Sequence, residues 1–74
     1  MVLKEETVKL FLHKHFQGEK TKMSPEALTA FTKLIELFIQ EALERSSRQA
    51  DIESVEQIDV DHLEKILPQL LLDF

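Results

Sequence analysis

The sequence predicts an all-α chain of three helices, short, long and short, whose central helix needs a second polypeptide to cover it. Three observations carry this. Apolar residues recur at helical spacing in three separate segments. The stretch from Ser24-Pro25 to about Asp51 contains no Gly and no internal Pro. Roughly 27 helical residues at 1.5 Å each make a rod of about 40 Å, whereas a compact domain of this length has a radius of gyration of about 11 Å. The rod overhangs whatever the remaining residues can fold around it.

The first helix is expected over Glu5 to Phe16. Val8, Phe11, Leu12, His15 and Phe16 stand at i, i+3, i+4, i+7 and i+8, one face of a helix. Gln17-Gly18 stops it, Gly being the usual residue just past a helix end. Glu19 to Met23 is polar and alternating, which fits a very short extended segment. Ser24-Pro25-Glu26 then opens the long helix with a capping hydroxyl, a Pro at the first helical position and an acid in the first turn. Its apolar stripe is wide, with Leu28, Ile35, Ile39 and Ala42 on one flank and Phe31, Leu34 and Phe38 on the other. A helix covered from one side needs one stripe, so this one is packed from two directions.

Asp51 to Glu56 reads as a loop or a frayed helix end, and Gln57-Ile58 as a second short extended piece. The third helix carries Leu63, Ile66, Leu67, Leu70 and Leu71 at the same helical spacing. Asp59 is the preferred N-cap; Asp61, boxed with Glu64, is the alternative. Pro68 falls inside and should kink or end the helix, which leaves residues 69–74 open. The whole, residues 1–74, is expected to be one domain.

Composition narrows the function. With 74 residues, a chain buries only about 60% of its unfolded surface, and small folds lean on disulfides, metals or partners. There is no Cys, which removes disulfides and thiolate metal sites and leaves oligomerisation. The longest aliphatic run is Leu70-Leu71-Leu72, too short to span a membrane. The start, Met1-Val2-Leu3-Lys4-Glu5-Glu6, lacks a signal-peptide core, so an intracellular, soluble protein is expected. A net charge of −5 repels polyanions on average, so any nucleic-acid contact must come from a local basic cluster or a basic partner.

The layout of short helix, loop, long helix, loop, short helix resembles the histone fold. In that fold, three helices wrap head-to-tail around a partner's three in a handshake dimer. The match sharpens at the C-terminus. Asp59-Val60-Asp61-His62-Leu63-Glu64-Lys65-Ile66-Leu67-Pro68-Gln69-Leu70-Leu71-Leu72-Asp73-Phe74 resembles the terminal signature of the centromere protein X family, the smaller subunits of the Fanconi-associated histone-fold pair. Leu12-His13-Lys14-His15-Phe16, Lys20-Thr21-Lys22 and Arg48-Gln49-Ala50 are similar to it as well.

The resemblance implies pairing with centromere protein S, doubling to a tetramer, and binding of double-stranded and branched DNA. It also implies a nuclear place at the centromere and kinetochore beside the centromere T–W histone-fold pair. DNA repair and replication-fork work with the Fanconi-anaemia M-type DNA translocase belongs to the same expectation.

Candidate DNA contacts follow from that fold. Lys20 and Lys22 sit in the first loop with Lys14 one turn back, and such lysines grip phosphates without reading bases. Arg45 and Arg48 end the long helix, but Glu41–Arg45 and Glu44–Arg48 are i,i+4 pairs that hold a helix surface equally well. Residues 52–57, Ile-Glu-Ser-Val-Glu-Gln, hold no base where many histone-fold chains carry one, so Lys20 and Lys22 rank above the arginines. The partner interface is expected at Phe31, Leu34, Ile35, Phe38, Ile39, Leu63, Leu67, Leu70, Leu71 and Phe74. The last of these are too apolar to lie in water and pack partly on their own chain, partly on the partner.

No enzyme, cofactor or metal is expected. There is one Gly, no phosphate-cradling loop and no nucleophile elbow. His13 and His15, two apart on a helix, point about 200° from each other and cannot chelate together. His13 faces outward and His15 packs half-buried; His62 is read as a local hydrogen-bonding group. The competing reading is a histone-fold interaction module of a transcription-type assembly without direct DNA contact.

Overall fold

A computed structural model describes residues 2–74 and holds three helices, α1 (Glu5–His15), α2 (Pro25–Ile52) and α3 (Val60–Asp73). No strand occurs among the described residues. The chain divides into two compact units, one up to Leu37 and the other Phe38–Phe74.

In the first unit, α1 ends one residue earlier than the spacing predicts. The Phe16 amide closes the last turn on the Leu12 carbonyl at 2.9 Å, and Gly18 takes a left-handed φ of +81° as the chain leaves. Val8 and Thr32 are buried, Leu12, Phe16, Leu28 and Ile35 half-buried. The buried Thr32 hydroxyl donates to the Leu28 carbonyl at 2.9 Å, so its burial leaves nothing unpaired. The Leu3 amide donates to Glu36 Oε1 at 2.7 Å and ties the segment before α1 to α2. Ser24 caps α2 as predicted, its Oγ accepting from the Ala27 amide at 3.1 Å. His15 is a correction. It lies exposed, its ring edge-on to Phe16 at 5.1 Å, because the buried stripe of α1 is centred on Val8 and Leu12. Phe11 is exposed on the same side.

In the second unit, α2 ends by turning back on itself. The Val55 amide reaches the Ala50 carbonyl and the Ser54 amide the Asp51 carbonyl, both at 3.0 Å, the paired bonds of a Schellman motif. Ser54 holds the left-handed position at φ +58°, where glycine usually stands. An L-residue there is strained by about 1 kcal/mol. Ser54→Gly is therefore expected to raise chemical-denaturation stability by a few tenths to about 1 kcal/mol, since glycine relieves the strain but frees the unfolded chain. Unchanged or lower stability would contradict the strain.

Asp59 caps α3, as preferred from sequence: its amide donates to Nδ1 of His62 at 2.8 Å, the backward arm of a capping box with His in the place of Glu or Gln. The Gln57-Ile58 piece and the Glu19 to Met23 segment both lack strand pairing, since a lone strand has no ladder to join. Pro68 neither ends α3 nor stops it short; the helix runs on to Asp73. Three interactions hold the turn beyond Pro68. Leu70 is fully buried, Asp73 accepts from Arg45 at 2.7 Å, and the Phe74 ring meets Phe38 edge-to-face at 5.1 Å.

Candidate partner and nucleic-acid interface

The two flanks of α2 are treated differently. Leu28, Ile35, Ile39 and Ala42 are half-buried, and Thr32, Ser46 and Ala50, at the centre of the same stripe, are buried. On the other flank, Phe31 is 45% and Leu34 51% exposed. Phe38 is half-covered, because Phe74 lies against it. A half-exposed Phe and Leu one turn apart form an open apolar face rather than scattered surface residues.

The second unit is open as well. Leu63, Leu71 and Phe74 are exposed, and Leu67 is half-buried. Leu70 stands apart from the other residues assigned to the partner. At 0% exposure it belongs to its own chain's core and has no surface left to offer. Leu72, at 80%, takes the outward place two residues on. Leu37 and Leu43 on α2 and Ile52, Val55, Ile58 and Val60 around the second loop are also exposed, and none of them was expected at the partner interface. Their signal was available, since none of the loop residues falls on a helical stripe.

The basic residues separate by environment. Lys14 lies in the last turn of α1 and Lys20 and Lys22 in the loop before α2; all three are exposed and, among the described residues, none is in an ion pair. Arg45 is engaged. Its Nε donates to Glu41 at 2.8 Å and a terminal nitrogen to Asp73 at 2.7 Å. Hydrogen bonds donated to Glu41 and then to Asp73 hold its guanidinium above its ordinary pKa, while those received from Gln69 and then Arg45 hold the Asp73 carboxyl below its own. Arg48 is exposed and only loosely placed, 3.8 Å from Glu44 and 4.0 Å from Glu41. Both i,i+4 pairs read from the sequence are thus present, and the Asp73 contact is the addition that spacing could not reveal.

Charge is segregated between the units. Residues up to Leu37 hold six Lys against five Glu, while residues 38–74 hold two Arg and one Lys against nine carboxylates. In the first unit an open groove of about 620 Å³ runs between the end of α1, the first loop and the start of α2. Leu12, Phe16, Met23 and Leu28 line it, Lys9, His13 and Lys22 border it, and Glu19 is its one carboxylate.

Glu53, Asp61 and His62 bring their ligand atoms within 4.8 Å of one another, the spacing of a metal site. Their chemistry is that of a helix-start lock. Because Nδ1 of His62 accepts from the Asp59 amide, the neutral ring carries its proton on Nε2, which faces Glu53 Oε1 at 3.6 Å. The Lys65 ammonium sits 2.9 Å from the other Glu53 oxygen and takes the cation's place. Hydrogen bonds from Gln49 and then Lys65 hold the Glu53 carboxyl below its ordinary pKa, and Glu53 in turn raises Lys65. His62 is the local hydrogen-bonding group the sequence indicated.

A long helix between two short ones, with one flank of the long helix left open, defines a histone fold. The protein-family model "CENP-S associating Centromere protein X" matches residues 5–74. Centromere protein X of Bos taurus is 49% identical over 73 residues, 99% of this chain and 92% of its own length. The Homo sapiens protein of that name is 49% identical over 71 residues, 96% of this chain and 88% of its own. "Protein MHF2 homolog" of Arabidopsis thaliana is 48% identical over 48 residues, 65% of this chain and 46% of its own. The chain belongs to the CENP-S associating centromere protein X family. That family is one of histone-fold centromere proteins and is not known for catalysis.

Proposed function

We propose that the chain is a non-catalytic histone-fold subunit, one domain over residues 1–74, that pairs with centromere protein S in a handshake dimer and helps present a DNA-binding surface. The observation that carries the pairing is the open flank at Phe31 and Leu34 opposite a covered one. The family's own description, "CENP-S associating", gives the partner. Phe31, Leu34 and Phe38 on α2 meet that partner first, with Leu63, Leu67, Leu71 and Phe74 at the third helix, while Ile35 and Ile39 offer it only the half of their surface that their own chain leaves uncovered.

DNA contact is centred on Lys14, Lys20 and Lys22, whose ammonium groups are unencumbered. Arg48 adds a contact from α2, and Arg45 contributes only by exchanging Asp73 for a phosphate. Pairs of such dimers double to a tetramer on double-stranded or branched DNA. The setting is nuclear, at the centromere and kinetochore beside the centromere T–W pair, and at damaged DNA and stalled forks with the Fanconi-anaemia M-type translocase.

One observation favours a second reading, that of an interaction module without DNA contact: the second unit carries nine carboxylates, and residues 52–57 hold no base. Lys20→Glu with Lys22→Glu, measured in the assembled complex across a salt series, separates the two. Each lost phosphate contact removes about 0.9 from the slope of log affinity against log salt, so a fall of about 1.8 is expected. An unchanged affinity and slope would establish the second reading.

A further inference from the structure

Among the described residues His62 is the one titratable side chain that is buried, at 3% exposure, and both of its ring nitrogens face a partner. Nδ1 accepts from the Asp59 amide at 2.8 Å, and Nε2 faces Glu53 Oε1 at 3.6 Å. The ring also lines a shallow depression with Glu53, Glu56, Asp59 and Asp61, which opens its edge to water. Lys65, 2.9 Å from Glu53 and 3.8 Å from Asp61, is the cation beside these carboxylates. All of these groups lie in the second unit. The capping contact exists in one protonation state only. An imidazole nitrogen accepts through its lone pair, and the imidazolium has none, because both nitrogens then carry protons. Glu or Gln, the usual residues at this place of a capping box, keep an accepting oxygen on either side of neutrality. Histidine does not.

We propose that His62 is a proton-operated latch between the second loop and α3. Neutral, it holds the Asp59 amide at the helix start; protonated, it lets that amide go and donates to the carboxylates beside it. With Nδ1 protonated, two N–H groups would face each other across 2.8 Å, so the ring turns or the loop moves. Glu53, Glu56, Asp59 and Asp61 supply counter-charge for the imidazolium, with Glu53 already at 3.6 Å. Glu53 also holds Lys65, so a charged ring competes with the ammonium and loosens a second tie between loop and helix. Hydrogen bonds from Gln49 and then Lys65 keep the Glu53 carboxyl below its ordinary pKa, so it stays charged while the ring titrates. Leu70 and the Arg45–Asp73 pair anchor the far end of α3, which confines the release to its first turn.

The test follows the isotope-labelled full chain by NMR from about pH 8 to about pH 5.5, the range in which an imidazole changes charge. At the upper end the ring nitrogens should report the tautomer protonated at Nε2, with Nδ1 bare. On acidification the Asp59 amide resonance should shift in step with the His62 ring. Its protection from solvent exchange, corrected for the intrinsic pH dependence of exchange, should fall about tenfold, the weight of one lost hydrogen bond. His62→Gln keeps the capping arm without the titration, so its Asp59 amide should stay protected over the whole range. Helix content by circular dichroism should hold steady in both chains, since only one turn is released. The proposal is overturned by an Nδ1-protonated ring at the upper end or by an Asp59 amide that ignores the ring's titration. A His62→Gln chain with the original's pH response overturns it as well, because the carboxylates would then carry the change.

Discussion

Replacing Phe31 and Leu34 together by Asp is expected to abolish capture of centromere protein S while leaving the helix content of the free chain in place. Both side chains are half-exposed in the single chain, so a carboxylate there remains hydrated and costs little. The proposed heterodimer covers the same positions. Burying Phe and Leu side chains is worth about 1.5–3 kcal/mol each, and putting an unpaired carboxylate in their place adds a desolvation penalty. Together these exceed about 4 kcal/mol, a loss of roughly a thousandfold in affinity. Leu28 is the control. It lies on the flank its own chain half-covers, so Leu28→Ala should disturb folding before it disturbs pairing. If the Asp pair binds the partner as the original does, the open flank faces water in the assembly.

Leu70→Ala should give the largest loss of stability of any single truncation, about 2–5 kcal/mol as expected for a buried Leu that leaves a cavity. Among the described residues, Leu70 is the one large side chain with no exposure, and it lies two residues beyond Pro68, where the helix lacks one of its backbone hydrogen bonds. Its anchoring holds the turn that brings Asp73 to Arg45 and Phe74 to Phe38, so the truncation should also loosen those contacts. Leu72→Ala, two residues away and 80% exposed, should stay within about 0.5 kcal/mol in the free chain. Denaturant titrations at fixed protomer concentration measure both, because unfolding of a dimer depends on concentration. Equal effects at 70 and 72 would mean that the end of α3 is not anchored as described.

The three helices were legible because each carries a periodic stripe bounded by residues with one local meaning. Ser24-Pro25 starts α2, Gly18 follows α1 and Asp59 starts α3. The α2 stripe, too wide for one covering surface, already indicated two flanks. What the sequence could not assign was which flank the chain covers itself. Phe31 and Ile35 are equally apolar, and Thr32, Ser46 and Ala50 mark the inner side only once packing shows that small residues let neighbours approach. His15 misled because it continues the spacing of Val8 and Leu12, although α1 buries a narrower stripe than its pattern allows. Pro68 carried a local penalty that tertiary contacts at Leu70, Asp73 and Phe74 outweigh, and such contacts have no sequence spacing. Leu70 and Leu71 looked alike for the same reason; one helical step separates the chain's own core from the surface left for a partner. The lysines of the first loop, read as candidate phosphate contacts, lie exposed, whereas the Arg45–Asp73 pair joins residues 28 apart and left no trace in local pattern.

Because the chain has no Cys, a single Leu34→Cys thiol is a clean reporter of what covers α2. Its rate of modification by a small maleimide should be fast in the dilute single chain and slow by about a hundredfold or more in the complex with centromere protein S, as a change from half-exposed to buried requires. Equal rates in the two states would contradict the claim that this helix hides its second flank against another polypeptide.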